Sequence, residues 1–341
     1  MNNKNRKIKI SVIAPNLSGR GGTETVLSKV MNYGGFKHNF QWELLLPDGH
    51  VNCQWINSLR KSNYLVREYN NGRFIKALRE ISFLFFSKSD LIICLGPKTV
   101  YLAHLVRKIC FKKFKIISWI HFDLDEAPFL DLKYLVHADM NLAISSRISN
   151  QLMDLGIGQD KILTVYNPVQ LASKKVHFQK KEPFKFVYLG RMEFQGQKNL
   201  KLLIDTFTDF PSDFKYELHM VGTGKDINKL QRYAQVKDVD KKITWHGWVE
   251  HPWDVISSAT ALVLSSQYEG FPMVLVEALS HGVPVIASNV SGTEDIIQLG
   301  VNGFTFDRNS ERAMSNSILR FVNRINDFQE QNIIESVNRF R

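Results

Sequence analysis

A chain of 341 residues with 44% hydrophobic content is long for a single core, so two globular domains are expected. Three cysteines, Cys53, Cys94 and Cys110, lie far apart without metal-ligand spacing, which argues for a reducing compartment and against a disulfide framework. Of the net charge of +11, residues 1–168 supply most, with 23 Lys and Arg against 13 Asp and Glu; this fits an anionic glycolipid, lipid headgroups or nucleic acid, or else a solvated basic surface.

In chain order, the polar, basic segment Met1–Lys9 lacks the long apolar region of a signal peptide. Apolar strands are expected at Ile8–Ala14, Trp42–Leu46, Leu91–Leu95, Ile116–Ile120, Asn141–Ile144 and Ile162–Val165. Between them helical periodicity runs over Glu24–Tyr33, Phe74–Phe86 and Tyr101–Cys110. The pattern pauses at Tyr166-Asn167-Pro168-Val169 and a Lys-rich stretch, Lys174–Lys185. It restarts with strands at Phe186–Leu189, Glu217–Val221, Ile243–His246, Ala261–Leu264, Val283–Ala287 and Phe304–Phe306. Near-continuous apolar strands separated by helices signal α/β sheets covered on both faces. The expected architecture is two Rossmann-like parallel-sheet domains, 1–168 and 169–325, with a linker near 167–184 and a last helix over 326–341. Ligands of such sheets bind at the carboxyl ends of the strands, so two facing domains would hold the active site in the cleft. The longest apolar runs, such as Ile81–Phe86, fall far short of the ~20 residues that cross a bilayer. A cytoplasmic protein, peripheral on a membrane, is the expectation.

Two stretches carry chemistry. After the first strand, Ser18-Gly19-Arg20-Gly21-Gly22-Thr23-Glu24 opens a helix whose free amides and positive dipole end suit an anion, although a plain tight turn reads the same way. The spacing matches neither the dinucleotide fingerprint nor the P-loop. The stronger stretch is Glu269-Gly270-Phe271-Pro272-Met273-Val274-Leu275-Val276-Glu277. Proline suits a first helical turn. Two carboxylates around a helix start can accept hydrogen bonds from sugar hydroxyls while the amides hold a diphosphate.

Glu269-Gly270-Phe271-Pro272, with Glu277-Ala278-Leu279, His281-Gly282 and Pro284-Val285, resembles the E-x7-E signature of retaining glycosyltransferases of family 4, which have the GT-B fold. Tyr188-Leu189-Gly190-Arg191-Met192 with Gln197-Lys198-Asn199 is similar to the family's donor-phosphate segment, although Gly196-Gln197 lengthens the Arg-to-Lys gap by a residue. Val221-Gly222-Thr223-Gly224, His246-Gly247-Trp248 and Gly300-Val301-Asn302-Gly303 match further strand ends and turns, so the likeness covers nearly the whole chain. Other pieces, among them Ser118-Trp119-Ile120-His121-Phe122-Asp123-Leu124-Asp125 and Glu193-Phe194-Gln195-Gly196-Gln197-Lys198, resemble the lipopolysaccharide-core α-1,6-galactosyltransferases.

The resemblance implies roles. Glu269 and His121 face the transferred sugar, Glu277 binds the ribose, and Arg191 and Lys198 clamp the diphosphate, where the leaving charge develops. The amides of Phe271, Met273 and Val274 touch sugar or phosphate, Gly21 and Gly22 close over the diphosphate, and Trp248 walls the nucleobase or packs in the core. It also implies a UDP-sugar donor, an anionic glycolipid or lipopolysaccharide-core acceptor, and a final helix returning to the first domain. No cofactor or metal is expected, although Asp123-Leu124-Asp125 is a carboxylate pair of metal-ligand type. Glu269→Ala is expected to cost the most turnover while sparing the fold. Rival readings are a glucosyl- or N-acetylhexosaminyltransferase, a nucleotide-sugar epimerase, and a non-catalytic nucleotide-sugar-binding protein; charge alone suggests nucleic acid, and no motif supports it.

Overall fold

Lys9–Ile13 (β1) sets the pattern of the first half, a short strand whose residues after Lys9 are all buried. The computed structural model describes residues 6–340 apart from 15, 16, 18–20, 39, 50–52, 63, 70–72, 128, 129 and 173. It divides into two units, Met1–Pro168 and Val169–Arg341. In the first, β1 is followed by Gly22–Lys37 (α1), Gln41–Leu46 (β2), Cys53–Lys61 (α2), Leu65–Glu68 (β3), Arg73–Phe86 (α3), Leu91–Cys94 (β4) and Pro97–Ile109 (α4). Lys115–Ile120 (β5), Met140–Ala143 (β6), Ser146–Asp154 (α5) and Ile162–Thr164 (β7) complete it. Among the described residues the strands form one parallel sheet in the order β3-β2-β1-β4-β5-β6-β7.

The second unit repeats the plan. His177–Phe178 (β8), Phe184–Leu189 (β9), Leu200–Thr208 (α6), Tyr216–Val221 (β10), Ile227–Val236 (α7), Ile243–Gly247 (β11) and Pro252–Val255 (α8) come first. Ser258–Ala259 (β12), Ala261–Leu264 (β13), Met273–Ser280 (α9), Val285–Ser288 (β14), Thr293–Ile296 (α10), Gly303–Phe306 (β15), Glu311–Asn323 (α11) and Glu330–Glu335 (α12) follow. The main sheet runs β11-β10-β9-β13-β14-β15, all parallel, and β8 pairs with β12 alone. Every residue of β13 and β14 is buried, as expected of central parallel strands covered on both faces. The strand order makes each unit a Rossmann-like sheet with its topological switch point between β1 and β4, and between β9 and β13.

The last segment departs from expectation. In place of one continuous helix over 326–341, residues 325–340 form short turns around α12. Their described contacts lie on the second unit: Lys175 to Glu330 at 2.9 Å, Asn302 to Ser336 at 2.9 Å, and the Phe271 and Phe340 rings 5.4 Å apart. Burial of Ile333, Val337 and Phe340 there explains the seat. Asn302 is wholly buried, donating to the Ile296 carbonyl and accepting from the Gln298 amide, so the Gly300–Gly303 turn is structural.

The loops after β9, β10 and β11 interlock through backbone. Gly190 N–H donates to Val221 O at 3.0 Å, Met192 N–H to Thr223 O at 3.0 Å, and Gly222 N–H to Gly247 O at 2.7 Å. Gly222 has φ +133°, and a Cβ there would lie 1.9 Å from the Gly190 carbonyl oxygen. Gly222→Ala should therefore lower stability by about 2–4 kcal/mol, read by urea unfolding, through both the strained φ and the forced shift of the neighbouring loop.

Candidate active site

At the second switch point, β9 delivers Gly190-Arg191 and β13 delivers Ser265–Glu269 side by side, because the two strands are neighbours. The resulting cluster centres on Glu269. Lys198 Nζ lies 2.5 Å from Glu269 Oε1, with side chains only 16% and 10% exposed. Ser266 Oγ donates to the same oxygen at 2.7 Å, and Gln197 Nε2 donates to Oε2 at 3.4 Å. A carboxylate offers about four lone-pair sites, so further acceptor capacity lies mainly on Oε2.

Gln197, the residue that lengthens the Arg-to-Lys gap, is the bridge of the cluster. Its Oε1 accepts from Arg191 Nη2 at 3.3 Å, its Nε2 also donates to Tyr268 O at 3.3 Å, and its carbonyl accepts from Gln267 N–H at 2.7 Å. Arg191 itself is exposed and pairs with Glu193 at 2.9 Å. Glu193 in turn accepts from the Lys198 amide at 3.3 Å, which shapes the loop that presents Lys198. Beneath it, the buried Tyr188 hydroxyl donates to Arg191 O at 2.9 Å, and burial first, then Glu269 and Glu193, push its pKa well above the ordinary tyrosine value. Arg308 donates to the Gln267 carbonyl from the far side. Glu193, Gln197, Ser266 and Arg308 had no role in the sequence reading; the first three lie inside the quoted or adjoining motif segments, while Arg308 leaves no local signal.

α9 begins at Met273 with Pro272 as its N-cap, one position before the first-turn place expected for the proline. The amides of Met273 and Val274 are in the first turn and have no intrahelical acceptor. Within this mostly buried helix, Met273, Val274 and Glu277 keep partial exposure. Met273 and Glu277 are one turn apart, so the three form a single open stripe. Phe271 is instead packed in the core against Phe340, leaving only its backbone for a ligand. Trp248 is 68% exposed at the end of β11, which removes the core reading for its ring.

In the first unit, Gly21 is the N-cap of α1 with extended backbone, after the carboxyl end of β1. Ser18-Gly19-Arg20 lies outside the described residues. The buried Glu24 carboxylate folds back over the helix start, 2.5 Å from where a Gly21 Cβ would be, so a first-turn acid already serves the positive dipole end. His121 leaves the carboxyl end of β5 against Trp119, with ring centroids 4.6 Å apart. The residue retains some exposure, yet both ring nitrogens are shielded and have no protein hydrogen-bond partner among the described residues. Burial pushes the imidazole pKa down to about 3.

Asp123 and Asp125 do not converge as metal ligands. Asp123 is buried, its Oδ1 accepting from Gln151 Nε2 at 2.6 Å and from Asp125 N–H at 3.1 Å. Arg147 reaches both carboxylates, at 3.3 and 3.6 Å, placing a guanidinium between them. Among the described residues no cluster of His, Cys, Asp and Glu has metal-holding geometry.

Two parallel Rossmann-like units, the second with a Lys–Glu cluster at its switch point, define a GT-B glycosyltransferase. Residues 169–335 match the family model of glycosyl transferases group 1. The chain is 34% identical over 313 residues to the lipopolysaccharide 1,6-galactosyltransferase of Salmonella typhimurium, covering 87% of this chain and 84% of that one. The solved lipopolysaccharide outer core galactosyltransferase WaaB, in its apo form, superposes with a TM-score of 0.84 at 32% identity, over 98% of this chain and 95% of that one. Anabaena HepE in complex with UDP-glucose shares the fold, with a TM-score of 0.76 at 16% identity over 98% and 94%. The chain belongs to the group 1 glycosyltransferases, and it is a hexosyltransferase.

Two predictions follow from the geometry. Glu269→Ala strands the Lys198 ammonium in a mostly buried site, so it should cost about 2–3 kcal/mol of stability as well as turnover. Glu269→Gln retains hydrogen-bonding capacity and should unfold closer to the parent in urea, while losing comparable kcat. For His121 the folded pKa lies below the unfolded one, so between about pH 6.5 and 3 the unfolded chain binds a proton that the folded chain refuses. Its contribution is intact above pH 6.5 and is lost as pH falls; His121→Asn should flatten the acid limb of a stability-versus-pH curve.

Proposed function

We propose that the enzyme moves galactose, with retention of anomeric configuration, from UDP-galactose onto a lipopolysaccharide-core acceptor, and that it does so without a metal ion. The observation that carries the sugar and acceptor is the 34% identity running over 313 residues of a lipopolysaccharide 1,6-galactosyltransferase. The chemistry is supported by the charged cluster at the second switch point. Arg191 and Lys198 present two cations where the UDP leaving group gains charge, and the first-turn amides of Met273 and Val274 add fixed dipoles. Glu277, on the open stripe of α9, takes the ribose hydroxyls, and exposed Trp248 takes the uracil face.

Donor cleavage and acceptor attack then occur on one face of the sugar. The anomeric carbon–oxygen bond breaks, the acceptor oxygen bonds to that carbon, and the departing phosphate oxygen takes the acceptor's proton. No strong protein base is required. Glu269, tethered by Lys198 and Ser266, accepts from sugar hydroxyls through Oε2 and favours the positive charge of an oxocarbenium-like centre. His121 stays neutral throughout the working range, and a sugar hydroxyl reaches its ring nitrogens, shielded as they stand, only once the loop after β5 shifts.

The acceptor engages the basic first unit, and the enzyme works peripherally at the anionic inner face of a bacterial cytoplasmic membrane. No helix among the described residues is long and apolar enough to cross one. UDP-galactose should raise the thermal midpoint more than UDP-glucose or UDP-N-acetylglucosamine, and should give a product on a defined lipopolysaccharide core. Transfer from UDP-glucose alone would move the assignment to a glucosyltransferase, and protection with no transfer to a binding protein. Activity should survive EDTA; loss restored by Mn²⁺ overturns the metal-independent reading.

A further inference from the structure

α3 carries apolar side chains on both of its sides. Its inward side buries Leu84 completely and Glu80, 3% exposed, which accepts from Thr99 Oγ1 at 3.4 Å. Its outward side carries Ile75, Leu78, Ile81, Phe85 and Phe86, all exposed, Phe86 by 73%. Spacings of three and four residues put most of these on one face. Burial of apolar area would normally cover such a face.

The end of α4 extends the same surface. Ile109 is 69% exposed and Phe111 90%. Lys112 Nζ lies 5.4 Å from the centroid of the Phe85 ring, which brings the two helix ends together. Phe111 has φ +52° in the position after the helix cap, and the Lys112 amide donates to the Arg107 carbonyl at 3.0 Å. Glycine or asparagine ordinarily fills that left-handed position. A phenylalanine is held there in strain with its ring in solvent.

Cations rim this apolar patch. Lys88, Lys108, Lys113 and Lys115 are exposed around it. The acids of the same turns are already paired, Asp90 with Arg6 at 2.6 Å and Asp139 with Arg107 at 2.5 Å. Beside Phe86 opens a cavity of about 370 Å³ whose lining includes Lys9, Arg79 and Lys88, together with Arg67 and Glu43, which pair with each other at 2.7 Å. Apolar side chains ringed by lysines, next to a cationic recess, complement an anionic lipid surface: the rings enter the acyl boundary and the cations meet phosphates.

We propose that the adjoining carboxyl-terminal ends of α3 and α4, from Leu78 to Phe86 and from Lys108 to Lys115, form the face by which the enzyme docks on an anionic bilayer. This rests on the peripheral membrane contact proposed above and gives it a location. Arg107 takes no part, since its guanidinium is spent on Asp139.

The test measures co-sedimentation of the full chain with vesicles of phosphatidylcholine alone and of an equimolar mixture with phosphatidylglycerol. The parent should bind the mixed vesicles and not the neutral ones. F86S/F111G should bind at least about tenfold more weakly, the loss of one fully inserted ring or more. F111G alone should bind more weakly while unfolding at the same or a higher temperature, because glycine suits the left-handed position; a merely structural phenylalanine would not separate these readouts. K112E/K113E should lose the preference for phosphatidylglycerol. Protection by UDP against unfolding should be unchanged in all three, and it reports on the glycosyltransferase reading separately. Equal vesicle binding by F86S/F111G, equal binding of the parent to neutral vesicles, or a dimer in sedimentation velocity that F111G dissociates would overturn the proposal.

Discussion

One ion pair organises the candidate site of this enzyme. Lys198 and Glu269 stand 71 positions apart in sequence, on the loops after neighbouring strands, and meet at 2.5 Å in a site that is mostly shielded from water. Desolvating two charges is expensive, and such a pair contributes little to net stability. Its value is positional. With Ser266 and Gln197 it fixes the carboxylate in one rotamer, and through Gln197 it extends to Arg191. On the function proposed above, the same few contacts would set the acceptor group for a sugar and the cations for its leaving group.

That arrangement depends on backbone more than on side chains. Gly222 lets the loop after β10 touch the Gly190 carbonyl, and hydrogen bonds from Gly190 and Met192 lock the loop that bears Arg191. Below, the wholly buried strands β13 and β14 give the Glu269 loop a stiff base, and Ser288 Oγ ties the Ser266 carbonyl to the adjoining strand. A site held in this way is ordered by the fold itself, so a ligand there would spend little binding energy on ordering it.

Most of the fold was legible because central parallel strands are continuous apolar runs, and β1, β2, β4, β5, β9, β10, β13 and β14 all lie on such runs. β3 escaped notice because Leu-Val-Arg-Glu at a sheet edge has no apolar run. β8 and β12 are two-residue strands created by tertiary pairing. In the site, Glu269, Arg191 and Lys198 could be found as residues, since chemistry demands those types near a strand end. Their mutual contacts could not, because pairing between loops is set by sheet order. Gln197 illustrates the difference: in sequence it was an insertion that weakened the place of Lys198, and in space it joins Arg191 to Glu269. The double shielding of the His121 nitrogens is likewise a property of three-dimensional packing, invisible to any local pattern.

The turns after α3 and α4 lead directly into β4 and β5, so Phe86, Phe111 and their lysines lie at the amino edge of the first sheet, while His121 and the glycine loop lie at its carboxyl edge. Strands of this length separate those edges by about 15–20 Å. On the docking proposed above, a chain seated on lipid by the amino edge would act as a ruler: sugars close to the bilayer would fall below its reach, and the first position open to it would be set by how far the glycan already stands off the membrane.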